Sequence, residues 1–183
     1  DAAPAIARRA RGWDTGGTEG GGDWTVGVKI AEAVRKDSGT GTMVGAGVFY
    51  VEDVQRKQLG PSGVDSLIAV TAELDGKLTC AQREEKEGGA SGLAVIEART
   101  KSLRGFDYAG VAVTGSKVAR SKPFRAQCEA GNVFLVRGPW NQAYIDELCG
   151  FPTGKYDDQV DGSSTAFNAV LLEPVPEEEF ATW

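Results

Sequence analysis

Three aspartates lie within five residues at the start of the last amphipathic segment of the chain. Asp157, Asp158 and Asp161 precede an apolar helical pattern that includes Val160 and Phe167. On a helix these aspartates are i,i+3 and i,i+4 neighbours, so their like charges repel, and the helix N-terminus offsets only part of that repulsion. A divalent cation would relieve the rest, because hard metals prefer carboxylate oxygens. The cluster therefore predicts a metal site, with a solvated acidic helix start as the structural alternative.

Two further acidic points lie at the ends of predicted strands. A strand over Ala10–Thr15 carries Asp14 directly before a glycine-rich turn, and a strand over 78–87 ends with Glu85 and Glu87. Residues two apart on a strand share one face. If the first and fourth strands are neighbours, these acids and the helix start converge in an oxygen-ligand site suited to two Mg²⁺ or Mn²⁺ ions. A turn-capping role for Asp14 and an ion-paired edge strand for the glutamates are the alternatives.

Composition excludes several kinds of catalysis. The chain has no histidine, which removes Ser-His and Cys-His nucleophile systems and a histidine base. Its three cysteines are far apart, so a zinc cluster or disulfide framework is not expected. With 183 residues we expect one domain over 1–183, with a core at about 8–173 and an acidic tail at 174–183. No apolar segment approaches the length of a membrane span.

One concentrated basic run interrupts an acidic chain. The net charge is −6, which argues against a nucleic-acid binder that works by bulk charge alone. Lys117, Arg120, Lys122 and Arg125 lie on a predicted helix and are candidates for contacts with phosphate groups, which position nucleic acid without reading sequence. A solvated helix face is the structural alternative.

Hydrophobic periodicity predicts the element order βββ-α-β-α-β-α, with further helical material before the final helix. Three strands joined by short polar turns favour an antiparallel arrangement, and the βα units that follow add parallel strands. We therefore expect an α/β fold with a central mixed sheet and helices on both faces. The predicted strands and helices after the first strand are Trp24–Ala33, Val48–Val54, a helix of about four turns from Pro61, 78–87, Ala90–Leu103, Val111–Thr114, Lys117–Ala130, Val133–Val136, Trp140–Cys149 and Asp158–Leu172.

Four ordered blocks between Arg11 and Leu172 resemble the carboxy-terminal nuclease domain of the large terminase subunit of tailed bacteriophages and prophages. The blocks are RGWDTGGTEGGGDWTVGV, REEKEGGASGLAVIEART, VTGSKVARSKPFRAQCEAGNVFLVRGPWNQAYIDEL and FPTGKYDDQVDGSSTAFNAV. The resemblance implies an RNase H-like fold and a two-metal endonuclease. Such an enzyme cuts concatemeric viral double-stranded DNA during genome packaging.

The resemblance also implies a set of site residues. The family's first-strand acid falls on Asp14, its second on Glu87, counted back from Gly92, and its third on Asp158 or Asp161. We take these four acids as catalytic metal ligands. Asp157 and Glu85 are outer candidates, and Tyr156 stands where many relatives carry histidine.

Partners and setting follow from the same resemblance. It implies a full-length protein that also has an ATPase domain, which these 183 residues do not contain. It further implies a terminase small subunit, a portal protein and the cytoplasm of an infected or lysogenic bacterial host. Another RNase H-like nuclease, such as a resolvase or transposase core, and a non-enzymatic acidic docking module are the rival functions.

Overall fold

The fold is known from a computed structural model that describes residues 3–5, 7–16 and 23–176. Most of the predicted glycine-rich turn and of the acidic tail lies outside these residues. In chain order the elements are β1 (Ala7–Asp14), β2 (Thr25–Lys36), β3 (Met43–Lys57), α1 (Pro61–Asp75), β4 (Ala81–Lys86), α2 (Gly89–Ser102), β5 (Tyr108–Ala112), α3 (Lys117–Glu129), β6 (Val133–Leu135), α4 (Asn141–Gly150) and α5 (Asp158–Val170).

The first three strands are antiparallel, as predicted, but β2 and β3 are longer than the sequence pattern suggested. The alternation of apolar residues predicted strands at 24–33 and 48–54, whereas β2 continues to Lys36 and β3 already begins at Met43. The turn between them is tight because the carboxylate of Asp37 accepts hydrogen bonds from the backbone N–H groups of Gly39 (3.1 Å) and Thr40 (2.8 Å). The pairing of β2 with β3 therefore extends to this turn. The added part of β3 contains glycines, so apolar and polar side chains do not alternate there.

The remaining strands add to this sheet in parallel and give the order β5-β4-β1-β2-β3-β6. Strand β4 pairs with β1, with Ala81 beside Ala10 and Glu84 beside Trp13. The expectation that the first and fourth strands are neighbours is therefore confirmed. Because β1, β4 and β5 are parallel, their carboxyl ends share one edge of the sheet. The predicted bounds of two of these strands, 78–87 and 111–114, differ from the observed Ala81–Lys86 and Tyr108–Ala112.

Helices cover both faces of the sheet. Phe124 of α3, Tyr144 of α4 and Phe167 of α5 pack with Val28 and Ile30 on one face. On the opposite face, α1 and α2 bury a second cluster that contains Trp13, Val64, Ile68 and Leu103. This arrangement confirms the expected mixed sheet between two helical layers.

Helix α5 lies directly against β1 because glycine leaves room for it. A Cβ atom at Gly12 would lie 2.3 Å from both the backbone nitrogen of Ala166 and the carbonyl oxygen of Gly162. Side chains in place of these glycines would push the helix away from the strand. The close approach brings the first turn of α5 over the carboxyl end of β1. No helix among the described residues is both long and apolar enough to cross a membrane.

Candidate metal centre

Asp14 and Glu85 lie side by side where β1 and β4 end. The last paired residues of these parallel strands are Trp13 and Glu84, so the next residue of each strand lies beside the other. Side-chain alternation turns Asp14 and Glu85 to the face that α5 covers, opposite the buried Trp13. Thr165 of α5 confirms this orientation, because its hydroxyl donates a 2.7 Å hydrogen bond to Glu85 Oε1.

The first turn of α5 brings further acids to the same edge. Asp158 is the first residue of the helix, Asp161 follows one turn later, and both are buried. Asp157 occupies the N-cap position, and its side chain makes no capping hydrogen bond. The predicted helix start is therefore confirmed, and the contact between Gly12 and Gly162 places Asp161 above the end of β1.

These carboxylates are close enough to affect one another's ionisation. Burial, together with the charges of Asp161, Glu85 and Asp158, raises the pKa of Asp14 to about 8. Burial also raises the pKa of Glu85, with Asp161 adding to the effect and the hydrogen bond from Thr165 opposing it. Burial and mutual repulsion therefore disfavour the fully ionised cluster, and a nearby cation would relieve that repulsion.

The pKa of Asp158 also depends on an acid outside the cluster. Burial and then the charge of Glu147 raise its pKa to about 6. Glu147 belongs to α4, and its carboxylate accepts hydrogen bonds of 2.6 Å from both the backbone N–H and the side-chain amide of Gln159. The beginning of α5 is thus fixed by an acid from the preceding helix.

Two cations from α3 reach into the carboxylate cluster. Lys117 Nζ lies 2.7 Å from Asp157 Oδ1 and 2.7 Å from Asp161 Oδ2. Arg120 Nη2 lies 2.8 Å from Asp161 Oδ1 and 3.3 Å from Glu85 Oε2. In the part of the chain that the structure describes, no group of three or more acidic, histidine or cysteine side chains is arranged to hold a metal ion.

The basic run predicted from the sequence therefore divides into two pairs. Lys117 and Arg120 pair with the acids of the cluster. Lys122 is exposed, and Arg125 lies 4.0 Å from Glu129 on the same helix. The guanidinium of Arg125 lies 5.9 Å from the ring centroid of Phe151. Sequence spacing alone could not separate the two pairs, because the direction of each side chain depends on how α3 packs against α5.

Glu87, the predicted ligand from this part of the chain, lies one residue beyond the end of β4 and lines a cleft together with Glu85. Strand β4 ends at Lys86, so the alternation that would put Glu87 on the same face as Glu85 stops one residue too early. Glu87 is exposed and lines a cleft of about 180 Å³ whose wall includes Val95 of α2 and Val64 of α1. The acid of β4 that shares Arg120 with Asp161 is Glu85.

Glu84 has a structural role that the edge-strand hypothesis missed. It is buried beneath the opposite face of the sheet, where it pairs with Arg99 of α2 and accepts a 2.5 Å hydrogen bond from the Tyr108 hydroxyl. Thr15 donates a further bond of 3.2 Å. These partners connect β4 to β5, to α2 and to the residue that follows Asp14.

A cation between two aromatic rings flanks the acids and had no counterpart among the sequence predictions. The guanidinium of Arg56, from β3, lies 3.8 Å from the ring centroid of Trp24 and 5.5 Å from that of Tyr156. Arg56 Nη2 also lies 3.3 Å from Glu147 Oε2. This group supports the start of α5 from the side, two residues before Asp158. Its members are distant in sequence, so no local pattern predicts the group.

The sheet order, the close crossing of α5 over β1 and the acidic edge define an RNase H-like domain. The model of a family described as "Terminase RNaseH-like domain" matches residues 11–170. The chain therefore belongs to this family, which confirms the resemblance seen in the sequence.

Two solved structures with low sequence identity share this fold. The large terminase nuclease of the thermophilic phage G20c, solved with bound zinc, is 18% identical with a TM-score of 0.57 over 92% of this chain and 84% of that one. The structure of that nuclease with bound magnesium gives 16% identity, the same TM-score and the same coverage. The comparison with curated proteins finds no match.

Proposed function

We propose that this domain is a metal-dependent endonuclease that cuts double-stranded DNA. The observation that carries the proposal is the convergence of Asp14, Glu85 and Asp161 at one sheet edge, where Arg120 contacts both Glu85 and Asp161. Burial, together with the charges of Asp161 and Glu85, raises the pKa of Asp14 there. The family and the metal-bound phage G20c nucleases support the same reading.

The donor chemistry of the cluster fits two divalent ions, Mg²⁺ or Mn²⁺. Asp14, Glu85, Asp158 and Asp161 offer only carboxylate oxygens, which hard cations prefer. Bound ions at such a site activate water and stabilise the leaving oxygen of a phosphodiester. Asp157 lies on the outer side of the cluster, and Glu87 remains the alternative ligand that family spacing suggests.

The chain's own residues would position the substrate. A cavity of about 600 Å³ adjoins Glu85 and Arg120 and continues along β5 and α5, where Val111 and Asn168 contribute to its lining. Exposed Lys122 and Arg125 would contact the DNA backbone and add affinity without sequence preference. With no histidine in the chain, no imidazole takes part in proton transfer.

The biological setting of the proposal is viral genome packaging. The domain would cut concatemeric viral DNA in the cytoplasm of an infected or lysogenic bacterium. The ATPase domain of the same full-length protein, the terminase small subunit and the portal protein would be its partners. The family match supports this setting, because terminases are the proteins in which this domain type is described.

Nicking of supercoiled plasmid tests the activity. We expect cleavage with Mn²⁺ or Mg²⁺, none with EDTA, and loss of more than about a hundredfold in Asp161→Asn. The matched control is Asp37→Asn, which makes the same change in a distant exposed turn and should cut like wild type. Cleavage that persists in EDTA, or in Asp161→Asn, would contradict the proposal.

A further inference from the structure

Both carboxylate oxygens of Asp161 already face a cation of the chain. Lys117 Nζ lies 2.7 Å from Oδ2, and Arg120 Nη2 lies 2.8 Å from Oδ1. The Asp161 side chain is 3% exposed, so few other groups can reach it. A metal ion bound to Asp161 would therefore compete with one of these two cations.

The two cations differ in how easily they can leave. Lys117 is the first residue of α3 and its side chain is 46% exposed, whereas the Arg120 side chain is 17% exposed. Each cation also contacts a second acid, which is Asp157 for Lys117 and Glu85 for Arg120. A lysine ammonium is a point charge on a flexible stem, while arginine holds its partners through a planar fork. Lys117 is thus the cation that an entering ion would displace.

Two contacts of α3 fix the position of Lys117 in the fold. The Ser116 hydroxyl accepts a 3.2 Å hydrogen bond from the Ala119 backbone N–H and so fixes where α3 begins. Phe124 of the same helix packs against Phe167 of α5, with ring centroids 5.6 Å apart. These contacts hold the first turn of α3 beside the first turn of α5, within reach of Asp157 and Asp161.

We propose that Lys117 is a displaceable counter-cation of the metal centre. It holds Asp157 and Asp161 in the metal-free protein, yields Asp161 to an entering divalent ion, and presents its ammonium group to a DNA phosphate. This inference rests on the proposed function, because it requires a metal ion at Asp161. It predicts that metal binding and Lys117 pairing exclude each other.

Calorimetric titration of the whole 183-residue chain with Mn²⁺, without DNA, tests the exclusion. Lys117→Met should bind Mn²⁺ about three- to tenfold more tightly than wild type, because the competing cation is gone. Lys117→Arg, which keeps the charge, should bind like wild type or more weakly. Lys122→Met removes the same charge from an exposed position of α3. It should change the affinity for Mn²⁺ less than about twofold, because salt screens an exposed charge that does not contact the acids.

A second readout uses thermal unfolding. In EDTA, Lys117→Met should melt below wild type, because it removes the cation that pairs with Asp157 Oδ1 and Asp161 Oδ2. With saturating Mn²⁺ that difference should shrink, since the wild-type pair would then be broken as well. A difference of the same size in EDTA and in Mn²⁺ would overturn the inference.

The outcomes separate this inference from the proposed function. If wild type binds Mn²⁺ and Lys117→Met binds equally or more weakly, Lys117 supports the metal ligands and the displacement is wrong, while the proposed function stands. If wild type binds no Mn²⁺ at all, the proposed function fails and the inference fails with it.

Discussion

At the residue scale, the family spacing and the strand register favour different glutamates at the end of β4 as the candidate ligand. Counting from Gly92 and the position before the glycine turn favour Glu87, whereas the register with β1 puts Glu85 beside Asp14. The two answers depend on where the strand ends. A single sequence does not fix the last residue of the strand, because residues 84, 85 and 87 are all glutamate and share one strand propensity.

Reciprocal amide substitutions decide between the two glutamates. Glu85→Gln should reduce plasmid cleavage by more than about a hundredfold, because it removes a charged oxygen ligand next to Asp14. Glu87→Gln makes the same chemical change one step beyond the strand and should cost less than about fivefold. The opposite ranking, with both variants folded by circular dichroism, would restore Glu87 as the ligand.

Asp14 predicts a pH-dependent stability in the metal-free domain. Its pKa is raised from 3.8 to about 8 by burial and by neighbouring acids, so folding favours the protonated form. That contribution is complete below about pH 4 and is lost as the pH rises towards 8. In EDTA, the free energy of unfolding of Asp14→Asn relative to that of wild type should therefore increase by at least about 1 kcal/mol as the pH is raised from 5 to 8.5.

Urea unfolding at the two pH values measures this difference. Asp37→Asn is the control, since that exposed carboxylate lies in a turn outside the cluster. A gap between Asp14→Asn and wild type that stays constant with pH would show that Asp14 ionises normally.

At the element scale, the order of elements along the chain, the contact between the first and fourth strands and the start of the last helix could be predicted, but the strand lengths could not. Short polar turns indicated the three antiparallel strands, and the apolar period indicated the helix from Asp158. The extension of β3 back to Met43 was missed, because glycines interrupt its alternation. The close crossing of α5 over β1 depends on Gly12 and Gly162 meeting, and no local pattern reveals a contact between distant glycines.

Helix α3 presents cations in two directions, and the outward pair should act on DNA. Reversal of Lys122 and Arg125 to glutamate should weaken binding to linear duplex DNA about tenfold or more, evenly across sequences. The slope of log affinity against log salt should fall by about 2, one for each lost phosphate contact.

The control for this prediction reverses Lys101 and Arg104, two exposed residues at the end of α2 and just beyond it, on the other side of the sheet. It makes the same change in net charge, so equal losses in the two double variants would show a bulk charge effect. An unchanged salt slope in the Lys122 and Arg125 variant would rule out the predicted backbone contacts.

At the scale of the whole molecule, the fold concentrates opposite charges around one edge of the sheet. The chain is acidic overall, with a net charge of −6, and at this edge Lys117 and Arg120 pair with Asp157, Asp161 and Glu85. Composition indicated the acidity, and the predicted strand ends indicated two acids of this edge, Asp14 and Glu85. The pairing with α3 required the tertiary structure, because it joins residues from separate blocks of the chain.

A crystal structure with Mn²⁺ tests the central claim most directly. Anomalous difference density should show manganese in contact with carboxylate oxygens of Asp14, Glu85 and Asp161, with the Lys117 ammonium moved away from Asp161. Asp161→Asn crystals treated in the same way should lose or weaken that density. Manganese bound elsewhere, or none at this edge when the ion is saturating, would contradict the account.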